Sequence, residues 1–399
     1  MSEPAPASTE ILPFANFQYE IYGAGLSGVV PELPVAAAEL EARARETLSR
    51  EAFGYVAGGA GAERTMAANL RAFERRQIVP RMLRDVSVRD LSTSVLGTSM
   101  RAPVLLAPIG VQSIVHEQAE LAVARAASAQ GVTSILSTAA SNTIEDVAAA
   151  ADGSRWYQLY WPQDRELAAS FVRRAGEAGY GAVVVTLDTW ILGWRPRDLQ
   201  NGYLPFLKGE GVANYFSDPV FRAALPGPPE ENFEAAIGQW AYQFSNPSVT
   251  WEDLVWLREQ TELPIVLKGI LHEDDAARAV ASGIDGLIVS NHGGRQVDGA
   301  IGALEALPAV RAAVGERFPV LFDSGIRTGA DVLKALALGA DAVCVGRPYV
   351  WGLGLGGQAG VEHVVRCLLA EFELNLALSG ATSPAELGPH TLAAAPAQP

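Results

Sequence analysis

The chain has 399 residues, 49% hydrophobic and only 19% charged, which is too apolar for disorder and enough for one large core. Thirty basic against forty-five acidic residues leave a net charge of -15, which excludes the basic stripe of a polyphosphate groove, so no nucleic acid partner is expected. No run reaches the roughly eighteen apolar residues of a membrane span.

In chain order, residues 1–33 read as an N-terminal tail or arm whose opening is Ala/Pro-rich, without the basic and apolar pattern of a leader. Residues 34–76 predict short helices, the first with Leu40, Ala44 and Leu48 on one face and the last ending near Phe73. From residue 103 onward, apolar or β-branched runs recur at 103–107, 133–137, 155–160, 182–187, 264–268, 286–290, 319–323 and 342–346. Ala-rich helical stretches such as 119–129, 276–282 and 330–338 lie between most of them, as the crossovers of parallel strands. Eight strand-helix units over about 245 residues predict an α/β fold, a (β/α)8 TIM barrel with a helical preface, forming one domain over 34–388. A doubly wound sheet is the alternative, but the first turn lacks its glycine fingerprint.

Spacings between run starts are about 22–33 residues except between the fourth and fifth, where the spacing is about 82. The excess at 198–247, rich in Gly, Pro and aromatics, predicts a lid, binding loop or interaction segment, with a mobile surface excursion as the alternative. Residues 389–399 read as a flexible tail.

Barrel chemistry sits at the carboxyl ends of the strands, and there the sequence places Lys268, Asp188, Asp323, His292 and three arginines, Arg295, Arg327 and Arg347. Gly325 and Gly346, each closely followed by an arginine, suit a phosphate held by backbone N–H groups and guanidinium. Lys268 closes an apolar run and reads as a fixed positive charge, with a Schiff-base nucleophile as the alternative. His292 is the candidate base, with Asp188 available to orient it. Two GxGxxG matches, at 23–28 and 352–357, have no strand before them or no domain after them, which disfavours a nicotinamide cofactor. Cys344 and Cys367 form no CxxC pair and fit a reducing cytoplasm, and five histidines without an HExxH cluster predict no metal site.

The run Ser-Asn-His-Gly-Gly-Arg-Gln at 290–296 resembles the signature of the FMN-dependent L-2-hydroxy acid oxidases and dehydrogenases, and the resemblance extends over about 16–388. Stretches 16–28, 187–198 and 321–337 look most like the lactate 2-monooxygenase branch. The resemblance implies His292 as base, Asp188 as its partner, Arg195 and Arg295 with Tyr55 as a clamp on the substrate carboxylate, and Tyr160 at the substrate hydroxyl. It assigns Ala107, Pro108, Ser137, Gln158, Thr186, Lys268, Ser290, Asp323, Gly325, Arg327, Gly346 and Arg347 to FMN. Ala139 stands where plant-type relatives carry tryptophan, which implies room for a substrate side chain, and Ser324 stands where many relatives carry glycine. The partners implied are a small L-2-hydroxy acid, most simply L-lactate, and O2, in a homo-oligomer of four or eight subunits. The products implied are acetate, carbon dioxide and water, or the keto acid and hydrogen peroxide if the keto acid is released first. A flavin-free sugar-phosphate isomerase or aldolase and a non-catalytic barrel are the rival readings. Glu210 and Asp218 interrupt 203–221 and argue against a membrane-facing segment there.

Overall fold

The computed structural model describes residues 12–395, and all eight expected runs are strands in it. We label them β1 (Val104–Leu106), β2 (Thr133–Ser137), β3 (Arg155–Leu159), β4 (Val183–Thr186), β5 (Ile265–Ile270), β6 (Gly286–Val289), β7 (Val320–Asp323) and β8 (Ala342–Val345). Each pairs in parallel with its neighbours in sequence, and β8 returns to β1 through Val343 with Val104 and Val345 with Leu106, closing the barrel.

Helices cover the outside, so both faces of every strand are buried and the strands read as nearly continuous apolar runs. The period of two still sorts them. Leu105, Ile135, Trp156, Val184, Val266, Ile288, Leu321 and Cys344 form one cluster inside the barrel. Their neighbours, such as Val104, Val183, Leu267 and Phe322, join the core shared with the helices. A hairpin of Thr93–Val95 and Thr98–Met100 closes the amino end of the barrel. There Val95 and Met100 pack on the inner cluster, and Trp156 Nε1 donates to Thr98 Oγ1 at 2.9 Å.

The expected preface is three helices, Ala37–Thr47, Arg50–Ala57 and Arg64–Glu74, with Leu40 and Ala44 buried as their spacing predicts. Part of the expected N-terminal arm is the helix Asn16–Gly25, so the 23–28 glycines end a helix rather than follow a strand. The Ala/Pro-rich opening lies outside the described residues. The second glycine motif lies where the helical segment Arg347–Leu378 breaks at Gly356 and Gly357, and across that break Gly352 and Gly360 come so close that a Cβ on either would strike the other's backbone.

Two expectations need correction. Residues 389–395 are not a free tail: Leu392–Ala394 pairs antiparallel with Arg76–Ile78, because those two short segments satisfy each other's backbone groups. The 198–247 insertion is not a loop but a series of short helices ending in Phe233–Phe244, held by an aromatic cluster in which Phe206 stacks on Trp240 with centroids 4.6 Å apart. Fully buried Asn214 pins it to the barrel: Oδ1 accepts the Ile144 N–H at 2.9 Å, and Nδ2 donates to the carbonyls of Ser137 (3.3 Å) and Thr138 (3.2 Å). Among the described residues no helix is long and apolar enough to cross a membrane.

Asn214→Ala leaves those three backbone groups buried without a partner, at a cost of about 1–3 kcal/mol. The expected outcome is a lower Tm at fixed FMN concentration; an unchanged Tm would mean that the insertion is not anchored there.

Candidate active site

The alternation that fills the barrel also builds the floor of its mouth. Two residues beyond each inward apolar side chain lies the next inward position: Ala107, Ser137, Gln158, Thr186, Lys268, Ser290, Asp323 and Gly346. Each strand thus delivers one small or polar residue to a single ring. Within it Ser137 Oγ donates to Gln158 Oε1 at 2.8 Å, while Gln158 Nε2 is buried with no partner among the described residues. Lys268 Nζ donates to Ser290 Oγ at 3.1 Å and lies 3.3 Å from Asp323 Oδ2, which also accepts from Ser290 Oγ at 2.7 Å. Burial alone would lower the Lys268 ammonium, but Asp188 and Asp323 outweigh it and raise its pKa, so it stays charged.

Beyond β6 the chain turns sharply. His292 adopts a left-handed φ of 57° and Gly293 one of 63°. The imidazole Nδ1 lies 2.8 Å from Asp188 Oδ1 and 3.1 Å from Thr189 Oγ1, whose hydroxyl also donates to Asp188 Oδ1 at 3.1 Å. Donation from Nδ1 to the carboxylate assigns the tautomer with its lone pair on Nε2. Burial would raise the Asp188 carboxyl, but the charges of His292 and Lys268 and the hydrogen bonds from His292 and Thr189 hold it down at about 2. Burial, Lys268 and Arg195 together lower the His292 pKa against the pull of Asp188. At neutral pH the pair is therefore a carboxylate and a neutral imidazole.

His292 opens onto a cavity with about 970 Å³ of empty volume, including its open mouth. Its wall holds Tyr55, Ala107, Pro108, Ala139, Tyr160, Arg195 and Lys268, together with Arg295, Asp323, Gly325, Arg327, Gly346 and Arg347. The remaining expected residues do not line it. Asp188 stands behind His292, Ser290 behind Lys268, Ser137 beside Gln158, and Thr186 next to Lys268 in the strand register.

The four arginines have only neutral acceptors among the described residues. Arg195 donates to Arg295 O (3.1 Å) and Gln296 Oε1 (2.6 Å), Arg295 to the carbonyls of Tyr55 (2.5 Å) and Gly58 (2.7 Å), and Arg327 to Ile326 O (2.9 Å). Arg347 donates to the carbonyls of Val56, Gly293 and Gly58, each at 3.0 Å. Burial and the Arg195 charge hold Arg295 down at about 10; burial with Arg327 and Arg295 holds Arg347 at about 9. Cations that depress one another at one mouth make a receptor for anions. Burial raises the Tyr160 hydroxyl to about 12, so it remains a proton donor.

Sequence reasoning missed several cavity residues. Phe206 and Phe244 come from the insertion, where nothing in the aromatic spacing says which rings turn inward, and Tyr160 lies against Phe244 with centroids 5.3 Å apart. Gly110 faces Ala139 so closely that an added Cβ would sit 2.8 Å from the alanine methyl. Thr189, adjacent to Asp188, was within reach of a strand-end reading.

The residues fit FMN. The buried, unpartnered Gln158 Nε2, the ammonium of Lys268 and the ring of hydroxyls suit a polar heterocycle and its polyol, and Arg327 and Arg347 beside Gly325 and Gly346 suit its phosphate. Comparison with known proteins agrees. Residues 44–394 match the FMN-dependent dehydrogenase family. An FMN-dependent alpha-hydroxy acid dehydrogenase from Penicillium citrinum is 47% identical over 92% of this chain and 92% of its own, and an L-lactate oxidase from Lysinibacillus sphaericus is 45% identical over 88% and 90%. Among solved structures, a mandelate oxidase superposes with a TM-score of 0.79 at 41% identity, covering 88% of this chain and 96% of that one. A barrel with a histidine-carboxylate pair beside guanidiniums that have no carboxylate partner among the described residues fits a class of flavin enzymes acting on small acids. The chain belongs to the FMN-dependent dehydrogenase family: it is an FMN-dependent 2-hydroxy acid oxidoreductase.

If Arg327 holds the cofactor phosphate, Arg327→Met removes a charge-assisted contact worth about 1.5–3 kcal/mol. The expected outcome is FMN affinity weaker by about 10- to 100-fold in a flavin fluorescence titration. Unaltered affinity would place the phosphate elsewhere.

Proposed function

We propose that the protein oxidises L-lactate, or an L-2-hydroxy acid of similar size, with O2, and that it retains the pyruvate until peroxide decarboxylates it. Lactate and O2 then give acetate, carbon dioxide and water. The observation that carries the oxidation is the 2.8 Å contact between His292 Nδ1 and Asp188 Oδ1 at a mouth whose arginines lack carboxylate partners among the described residues.

In this reading Arg195 and Arg295, with Tyr55, bind the substrate carboxylate, and Arg295 exchanges its carbonyl acceptors for it. Tyr160 donates its hydroxyl hydrogen to the substrate hydroxyl oxygen. His292 Nε2 accepts the hydroxyl proton, and Asp188 stabilises the imidazolium that forms. Ala107, Pro108, Ser137, Gln158, Thr186, Lys268, Ser290, Asp323, Gly325, Arg327, Gly346 and Arg347 would hold FMN, which when bound supplies the acceptor for the Cα hydrogen and its electron pair. Lys268, kept cationic by two aspartates, would offset negative charge arriving on the ring of the bound cofactor. Small Gly110 and Ala139 leave space for a methyl group or a somewhat longer side chain.

Retention of pyruvate is supported by the folded insertion, which contributes Phe206 and Phe244 to the cavity wall. The second reading, an oxidase releasing pyruvate and hydrogen peroxide, is favoured by the relatives named L-lactate oxidase. Aerobic product analysis decides: acetate and carbon dioxide support retention, whereas stoichiometric pyruvate and peroxide establish the oxidase.

His292→Gln should keep bound flavin but slow its anaerobic bleaching by L-lactate by about 10²–10⁴-fold. Bleaching at the wild-type rate would remove His292 from the base role. The base must be neutral, so kcat/KM falls as pH drops through the His292 pKa; because that pKa is depressed, the acid limb lies below the ordinary histidine value of about 6.5. Asp188→Asn deletes the charge that opposes the depression, so the limb moves to still lower pH even as kcat falls. A limb moving upward would assign the titration to another group.

A further inference from the structure

We propose that Ser324 is a positioning residue for His292, acting through its hydroxyl on the backbone of the 290–294 turn; the inference rests on the reading of His292 as the base. Ser324 is 3% exposed and follows Asp323 at the end of β7. It holds a φ of 91°, a conformation that glycine adopts freely and other residues resist. Its backbone N–H donates to Asp323 Oδ1 at 2.7 Å, which ties the residue to the same carboxylate that binds Lys268 and Ser290. A strained side chain in a buried place calls for a compensating interaction.

That interaction is visible at the oxygen. Ser324 Oγ accepts the N–H of Asn291 at 3.3 Å and the N–H of Gly293 at 3.0 Å, the residues on either side of His292. The His292 N–H is taken by Ser290 Oγ at 3.0 Å, and that of Gly294 by Asn291 Oδ1 at 3.1 Å. Four successive backbone donors, 291 to 294, thus end on side-chain oxygens, two of them on one hydroxyl. His292 itself is left-handed, so the direction of its side chain depends on this local scaffold rather than on regular secondary structure. A glycine at 324 would relax its own backbone and abandon both donors. The hydroxyl is therefore the reason for the strain, and the aim of the imidazole is its product.

The test is a double-mutant cycle on the FMN-loaded enzyme, reading the anaerobic rate of flavin reduction by L-lactate per bound flavin. Ser324→Ala keeps the Cβ and loses the hydroxyl; Ser324→Gly loses the hydroxyl and relieves the φ strain, which safeguards folding. Both should slow reduction by about 10- to 100-fold, with KM changed less than about threefold, because the base is misaimed while the carboxylate clamp is intact. In a His292→Gln background the same substitutions should cost nothing further, since no base remains to be aimed. Wild-type reduction in Ser324→Gly overturns the proposal, and so does an equal loss with and without His292, which would mark a general structural effect. If His292→Gln alone reduces at the wild-type rate, the failure belongs to the function reading and not to Ser324.

Discussion

Closure of the barrel through β8 and β1 is the constraint on which everything else depends. An open sheet would spread eight strand ends along a line and leave two edges to satisfy. The closed one brings them onto a single rim and lets the alternation of side chains act as a layering device. Below lie Leu, Ile, Val and Trp; one step higher come Ser, Gln, Thr, Lys and Asp. A polar floor at that height is stable because each member answers another: Ser137 answers Gln158, and Lys268 answers Ser290 and Asp323.

The mouth inverts the charge of the molecule. A chain with a net charge of -15 gathers Arg195, Arg295, Arg327 and Arg347 at one opening without a carboxylate partner for any of them among the described residues. Burying cations together costs free energy, which shows in the lowered pKa values of Arg295 and Arg347. An anionic cofactor phosphate and an anionic substrate bound there would relieve that cost. The carboxylates present are aimed inward instead, Asp323 at Lys268 and Asp188 at His292. These two pairings separate a lasting cation from a neutral imidazole within one small volume.

The insertion after β4 gives the mouth its apolar side. Its helices would have no core of their own; they are held by ring packing among Phe206, Trp240 and Phe244 and by the polar anchor of Asn214. Ser113 and Glu210 add a hydrogen bond between the loop after β1 and the insertion. Anchored on two barrel loops, the segment acts as a fixed wall of the cavity.

How much of this was legible in the sequence follows from which forces are local. The eight runs, their crossovers and the residues that end each strand were readable because period-two burial and strand-end position are properties of short stretches. His292, Lys268, Asp323, Arg327 and Arg347 could be named in that way. Tyr55 and Arg195 entered only through resemblance, since a preface helix and a loop after β4 reach the mouth by folding back across it. The ordered strand at 392–394 was read as a tail because its partner lies more than three hundred residues earlier, at 76–78. Phe206 and Phe244 escaped notice because which ring faces a cavity is settled by packing between helices. Ser324 could be singled out in the sequence but not explained, because its purpose lies in two N–H groups on a neighbouring strand end. Sequence by itself determined the strands, their order and the chemistry at their ends, because those depend on spacing along the chain; only the tertiary structure decided which side chains meet and how the histidine is aimed, because those depend on distances across it.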